Sequence, residues 1–523
     1  MESEKLFKHE SIGKLILKTS IPSVVIIIMM MLYNMADIFF IGQTGDAMQV
    51  ASVSIAGPIM SILSGLGTLI GAGGCAAIAT QLGKGDTKLA KSMSSFSGWF
   101  SIGVGILFAL FLISFMSPIL AESGTSESTV EHTRTYLTIL ALGAPFIIFS
   151  SVMANLVRAQ GAAKESMIGN MLGNVINMAL DPIFISVLGL NVAGAAIATV
   201  LGNFVASVYF IVFMLGKKNE LSLNPRYFSF KPKVSLKVLS LGFPTAFGII
   251  LMSFSTIIRN NVAAGYGDSV IAASGIAGRV AMIVSMIQLG ISMGVQPAIA
   301  YNYGAGLFER MNAILKRTAI STVIIGVVLT ATVFMGRATL VSIFLDNAEV
   351  SQLGQHIVAL AMVTGPIFGI GFLCTTFLQS TNQATVATVV ALLRQGIFLL
   401  PLTFILSAVF GLEGFLWSAV LADILSTLVN IVLFMRYNST FYKSHKKHSE
   451  TQEKQELQHK AQEMHELSQE QFPEAIETLR QQQDMQEAPQ ESHEDLQEAL
   501  KIKENMPEAL DGYSQTSQKN PEL

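Results

Sequence analysis

Two aspartates, Asp37 and Asp181, stand in stretches of sequence that are otherwise apolar. Asp37 lies about five residues before Gly42 and Asp181 about eight before Gly189, so in helices rising ~1.5 Å per residue they sit roughly 8 and 12 Å below the ends of their segments. Thr199, about five residues beyond Gly194, falls at a similar depth. Asn177 precedes Asp181 by one helical turn, which puts both on one face. Pro182 has no N–H for the carbonyl of Met178, so that oxygen is freed. Two carboxylates, an amide, a hydroxyl and a free carbonyl are the oxygens a proton or Na⁺ needs. Asn177 or Thr199 alone would ordinarily join a polar cluster holding helices together. The acids are different: a carboxylate in an apolar span is costly, and neither segment offers a Lys or Arg partner. Repulsion between neighbouring carboxylates in low dielectric favours holding a proton between them. A proton is therefore the preferred ion, with Na⁺ at Asp181, Asn177 and Thr199 as the alternative.

The elements that position these groups are membrane helices. Hydrophobic residues make up 51% of the chain and charged residues 13%, about half the charged share of soluble domains. About twelve apolar segments are long enough to cross a bilayer, at about 20–41, 52–79, 93–119, 135–157, 167–188, 193–215, 240–263, 271–299, 313–335, 356–378, 386–409 and 415–435. The expected fold is all-α and integral to the membrane. The first segment is too long for a signal peptide and has no small-residue cleavage site. Cys75 and Cys374 fall inside apolar segments and read as packing residues, with no disulfide or metal implied.

The segments repeat at an offset of about 221 residues. Pro22 matches Pro244, Gly45-Asp46 matches Gly267-Asp268, Gly83 and Gly85 match Gly304 and Gly306, and Gly189-Leu190 matches Gly411-Leu412. The expected organisation is a six-helix lobe at 1–215, a linker at 216–238, a pseudo-symmetric six-helix lobe at 239–437, and a tail at 438–523. Duplicated bundles with interrupted helices are how many secondary transporters are built, and an even number of spans per copy gives both copies one orientation. Lys and Arg crowd alternate connections: Lys5 to Lys18, Lys84 to Lys91, Arg158 and Lys164, the 216–238 linker, and Arg310 to Arg317. The intervening loops lack them, which predicts a multi-pass cell-membrane protein with both termini cytoplasmic. The tail carries 9 Lys+Arg against 18 Asp+Glu, so of the chain's net −3 it holds −9 and the remainder +6. Rich in Gln and Glu, it reads as a solvated cytoplasmic segment.

With those features in place, a family comes into view. The run Asn174-Val-Ile-Asn177-Met-Ala-Leu-Asp181-Pro182 resembles the fifth-helix signature of the MATE (multidrug and toxic compound extrusion) transporters. Asn34-Met-Ala-Asp37-Ile-Phe-Phe-Ile-Gly42 resembles that family's first-helix acidic site. Arg158-Ala-Gln-Gly161 and Gly189-Leu-Asn-Val-Ala-Gly194 also match its loops, and over about 10–437 the likeness is closest to the bacterial MepA-like branch. The resemblance implies efflux of lipophilic cations in exchange for protons or Na⁺, by alternating access and without a cofactor. It implies a cation site formed by Asp37, Asn177, Asp181 and Thr199. Asn155 is a further candidate, although its depth places it nearer the inner end. A monomer in the lipid bilayer is expected, with small-molecule substrates and no nucleic-acid partner. Neither a catalytic constellation nor a metal cluster is visible, so no enzyme is expected. A flippase for lipid-linked precursors in the same superfamily, or a transporter of the MFS type, is the alternative.

The second copy diverges where the first is acidic. Asp37 is matched by Arg259, and Asp181 has no acidic counterpart near Leu400-Pro401. Its spans instead hold Arg259, Arg279, Arg394 and Asp423. Arg394 and Asp423 differ in backbone depth by about 6 Å in a hydrocarbon core of about 30 Å, and long side chains close such a gap. They are expected to form a structural ion pair.

Overall fold

The structure, a computed structural model, describes residues 2–216, 219–342 and 348–439, together with residue 462. Residues Met1–Lys443 pack as one compact unit. The expected solvated tail falls on residues that lie, apart from 438, 439 and 462, outside the described ones. Among the described residues every regular element is helical.

The first copy comprises α1 (Ile12–Gly42), α2 (Ala47–Gly83), α3 (Thr87–Ser114), α4 (Val130–Ala159), α5 (Ala163–Asp181) and α6 (Asn191–Leu215). The second begins with α7 (Ser235–Ala264), α8 (Asp268–Gly304), α9 (Phe308–Ser342) and α10 (Val350–Ser380). Helical backbone then runs over the 56 residues Ala384–Ser439. That length makes two spans: Gly411 has φ +60°, which turns the chain. Thr403 and Ser418 bring their hydroxyls within 3.2 Å of each other across the turn, whereas a straight helix would hold them roughly 22 Å apart. The spans are α11 (residues 384–410) and α12 (residues 412–439), and they complete a layout of two six-helix lobes.

Helix starts follow from the sequence. Asp46 caps α2 by accepting from the Met48 N–H at 2.9 Å, and Asp86 caps α3 by accepting from Leu89 N–H at 2.9 Å. Many hydroxyls inside the spans bond to the preceding turn, as Thr80 does to the Ala76 carbonyl at 2.8 Å, because the membrane interior supplies no water. Large apolar side chains are exposed along outer faces, among them Leu107, Leu110 and Phe111 on α3 and Ile324 and Val328 on α9. Such surfaces suit lipid rather than water.

The duplication is visible in the backbone. Left-handed φ values recur in pairs: Gly45 and Gly267 (+73° and +107°), Gly85 and Gly306 (+76° and +72°), and Gly189 and Gly411 (+64° and +60°). A fourth pair joins Gly161 at +92° to Asn382 at +63°, asparagine being among the side chains that tolerate this region best.

The two copies touch through glycines at one end of the unit. A Cβ at Gly242 on α7 would lie 1.7 Å from the Leu69 carbonyl oxygen on α2, and one at Gly73 would lie 2.0 Å from that of Val238. Between α2 and α8, a Cβ at Gly83 would lie 2.0 Å from the Tyr301 carbonyl oxygen and one at Gly304 would lie 2.1 Å from that of Thr80. Gly290 and Gly294 on α8 press against Val24 and Ser20 on α1. Every one of these contacts joins the halves of α1, α2, α7 and α8 nearest the N-terminal segment and the interlobe connection. That end is closed. The opposite halves of the same helices expose Met35, Phe39, Ile257 and Met282.

The N-terminal segment seals the closed end. Phe7 is fully buried, with its ring 5.3 Å from that of Tyr301. Its carbonyl accepts from Asn302 Nδ2 at 3.2 Å and from Arg310 Nε at 2.8 Å. On the other side, Ser3 Oγ donates to Glu220 at 2.6 Å. The connection itself is strapped to α3: Trp99 Nε1 donates to the Leu223 carbonyl at 2.9 Å and Ser94 Oγ to that of Ser222 at 2.7 Å.

Candidate cation site

Asp37 projects from the half of α1 farthest from the closed end, and Asp181 is the last residue of α5 before the helix widens into a π-type turn at Pro182–Val187. Such turns concentrate at functional sites because they re-aim the side chains beside them. The two carboxyl groups are neighbours within electrostatic reach of each other, and Asn177 lies beside them. Asn177 Nδ2 donates to Thr199 Oγ1 of α6 at 3.3 Å. Asp181 is fully buried, and Asn177 and Thr199 are nearly so.

The electrostatics are one-sided. Among the described residues neither aspartate enters an ion pair. Both Asp181 oxygens, Asp37 Oδ1 and Asn177 Oδ1 are buried without a donor. Buried oxygens ordinarily have a partner, so four orphaned acceptors in one place form a donor set for a proton or a small hard cation. Thr199 Oγ1 adds a fifth oxygen.

Two cavities adjoin the group. One, of about 330 Å³, is lined by Tyr33, Asn34, Asp37, Tyr136 and Thr199, with Gly57 and Met60 of α2. The other, of about 20 Å³, lies among Asn170, Asn174, Asn177 and Asn203, and holds roughly one water. Tyr33 and Tyr136 were not singled out from the sequence. Tyr33 had a signal, since it precedes Asp37 by one turn; Tyr136 on α4 had none.

Asn155, the further candidate, is in a different cluster. Its Nδ2 donates to the Ser151 carbonyl at 2.8 Å and its Oδ1 accepts from Arg158. The reason is depth: α4 meets the acid pair at Tyr136, and Asn155 lies roughly 28 Å farther along that helix. There Arg158, buried, lies 3.5 Å from Ser23 Oγ on α1 and 3.4 Å from the Met293 oxygen on α8, so it bridges the two copies at the closed end.

The second copy has no acid pair at the matching place. Arg394 Nε donates to Asp423 Oδ1 at 2.5 Å, and Thr364 Oγ1 donates to Asp423 Oδ2 at 3.1 Å. The reach across unequal depths is thus made. Asp423→Asn would leave the Arg394 guanidinium without its counter-ion. The expected cost is about 1–3 kcal/mol, below that of a wholly buried pair because Arg394 is partly exposed. A lower unfolding temperature of the purified variant would register it.

Comparison with known proteins fits this geometry. The fold matches a solved outward-facing multidrug resistance MATE family transporter of the MOP superfamily, at TM-score 0.81 and 22% identity, over 85% of this chain and 99% of that one. It also matches a MOP superfamily transporter from Pyrococcus furiosus, described as having a binding pocket of reverse polarity, at TM-score 0.79 and 22% identity over 84% and 99%. The chain therefore has the fold of a helical membrane transporter. More narrowly, it belongs to the MatE family, whose model matches residues 22–183 and 244–405, once in each copy and beginning at Pro22 and Pro244. Multidrug export protein MepA of Staphylococcus saprophyticus is 33% identical over 435 residues, covering 83% of this chain and 96% of that protein. MepA of Staphylococcus aureus is 33% identical over the same length and coverage.

Proposed function

We propose that this chain is a multidrug exporter of the cell membrane that moves lipophilic cations outward in exchange for protons or Na⁺. The observation that carries the coupling is the Asp37–Asp181 pair: two facing carboxyls, without basic partners, beside a cavity at the open end of the unit. The positive residues of alternate loops support a cytoplasmic position for the closed end and both termini, and in that reading the open end faces outward. In that state the acids take up a cation from outside, and its charge no longer favours a cationic drug held nearby. Drug leaves, the copies rock about their glycine contacts, and the cation is released inside. Two sites that oppose each other in this way must do so reciprocally. The site needs side chains of the first copy alone, so a monomer suffices, and its work is transport rather than catalysis.

Expression in a drug-sensitive host should lower ethidium accumulation, and an uncoupler should abolish that effect. Unchanged accumulation across a broad panel of dyes would overturn the reading. The basic residues of the second copy favour one other substrate, a phosphate-bearing lipid-linked precursor. Uptake by vesicles of labelled ethidium against a lipid-linked saccharide separates the two. Because both copies are complete by residue 437, truncation after Asn438 should leave insertion and basal efflux within about twofold of the full chain. Loss of transport by a well-expressed truncation would assign the tail a part in the cycle.

A further inference from the structure

The Arg259 side chain stands in the second copy where Asp37 stands in the first, and its surroundings are unlike those of an ordinary ion pair. Nη1 donates to Thr403 Oγ1 of α11 at 2.9 Å and to Ser418 Oγ of α12 at 2.8 Å. Each hydroxyl has its own proton engaged elsewhere, Thr403 on the Leu399 carbonyl at 2.7 Å and Ser418 on that of Phe415 at 2.6 Å. Both therefore present lone pairs to the guanidinium. The Phe415 ring lies 4.5 Å from Cζ, a cation–π contact that fixes the plane of the group. All these partners are neutral. They orient the charge and leave it uncompensated.

Arg394 is the second cation of the neighbourhood and Asp423 the acid within electrostatic reach of Arg259. That acid is already engaged on both oxygens, by Arg394 Nε and by Thr364 Oγ1. Two guanidinium groups thus share one carboxylate. Arg259 Nε and Nη2 have no acceptor among the described residues, and neither do the Nη atoms of Arg394. The Arg394 side chain is 45% exposed although it sits in mid-span with Asp423 on one side and the Phe368 ring 5.9 Å from its Cζ. Its free N–H groups are therefore accessible to a ligand.

We propose that Arg259 and Arg394 form a binding site for a monoanion, either chloride or the carboxylate of a transported molecule. A net positive charge held by neutral groups in a membrane interior is stabilised by an anion that completes it. Guanidinium forks bind carboxylates through paired N–H donors. The consequence is a transporter with opposite poles: oxygens for a cation in the first copy and N–H groups for an anion in the second. The proposal stands apart from the coupling reading, since it concerns other residues and is tested by binding.

The test uses the purified full chain in detergent, with gluconate as the bulk anion. Unfolding temperature is followed against added chloride, benzoate and the neutral isostere benzamide. Chloride or benzoate should raise it in a saturable manner and benzamide should not. Arg259→Gln keeps a hydrogen-bonding side chain without the charge and should weaken anion binding at least tenfold, while Arg259→Lys should retain part of it. Should Arg259→Gln be less stable at the outset, the contrast between benzoate and benzamide within that variant still reads the site. Reconstituted transport then separates the sources. If the anion belongs to the cargo, Arg259→Gln lowers transport of a carboxylate-bearing dye relative to its methyl ester. If chloride is the ligand, replacing chloride by gluconate slows ethidium transport in the parent and not in the variant. Equal unfolding temperatures with chloride, benzoate and benzamide in the parent, or undiminished anion binding by Arg259→Gln, would overturn the assignment.

Discussion

Replacing Asp181 by asparagine is expected to abolish cation-coupled efflux while leaving the chain folded. The substitution keeps the shape of the side chain and removes the charge for which no donor is available. Asp181 is fully buried and both of its oxygens lack a partner, so no hydrogen bond is broken by the exchange. A buried polar group costs most when ionised and unpaired, and the unfolding temperature should therefore hold or rise. Asp37→Asn should have the same sign, because the two carboxyls act on one ion. Asn177→Ala and Thr199→Ala should be milder, since each removes one neutral oxygen from a set of several. Ethidium efflux driven by an imposed proton or Na⁺ gradient is the measurement, with an expected fall of more than tenfold for either aspartate. Parental rates with normal ion dependence in both variants would place coupling elsewhere.

Gly242→Ala is expected to be among the most damaging single substitutions in the chain. The added carbon would sit 1.7 Å from the Leu69 carbonyl oxygen and 2.6 Å from its carbon, and backbone cannot rotate out of the way as a side-chain tip can. α2 and α7 must separate, which also disturbs the neighbouring contact of Gly73 with Val238. Overpacking of this kind costs about 1–3 kcal/mol or more. Gly248→Ala on the same helix is the internal control. Its new carbon would meet only the Ala391 Cβ, at 3.8 Å, and alanine is the better helix former by about 1 kcal/mol. Thermal unfolding should fall for the first and hold or rise for the second. An equal response of the two would remove the glycine contacts as the hinge between the copies. Since those contacts hold one end shut, a cysteine placed beside Gly242 should also become reactive from the closed end in Gly242→Ala.

What the sequence made legible, it did through period and polarity. Spans, duplication and the acids at Asp37 and Asp181 all announce themselves as departures from an apolar background. The joining of Arg394 to Asp423 followed from depth alone. Three things were hidden. The rotation of α4 that brings Tyr136 to the acids is set by packing between helices distant in sequence. The widening after Asp181 depends on how Pro182 is accommodated, which a proline alone does not specify. Arg259 read as a missing acid, because its meaning lies in Thr403 and Ser418, more than a hundred residues away and brought together by the Gly411 turn. Asn155 misled for the complementary reason: a polar residue on the right helix can sit at the wrong depth.

The burial of Phe7 bears on how the protein is made. The groups that hold this residue, Tyr301, Asn302 and Arg310, leave the ribosome some three hundred residues after it. At about 5–20 residues per second, the N-terminal segment waits roughly 15–60 s for its pocket to be synthesised. During that interval the first copy is threaded into the membrane with its N-terminal plug undocked. Sealing of that end is then a late step in biogenesis, one that proceeds only after α8 and the start of α9 have emerged. A bulky fusion ahead of residue 2 would interfere with that step while leaving insertion of the spans untouched.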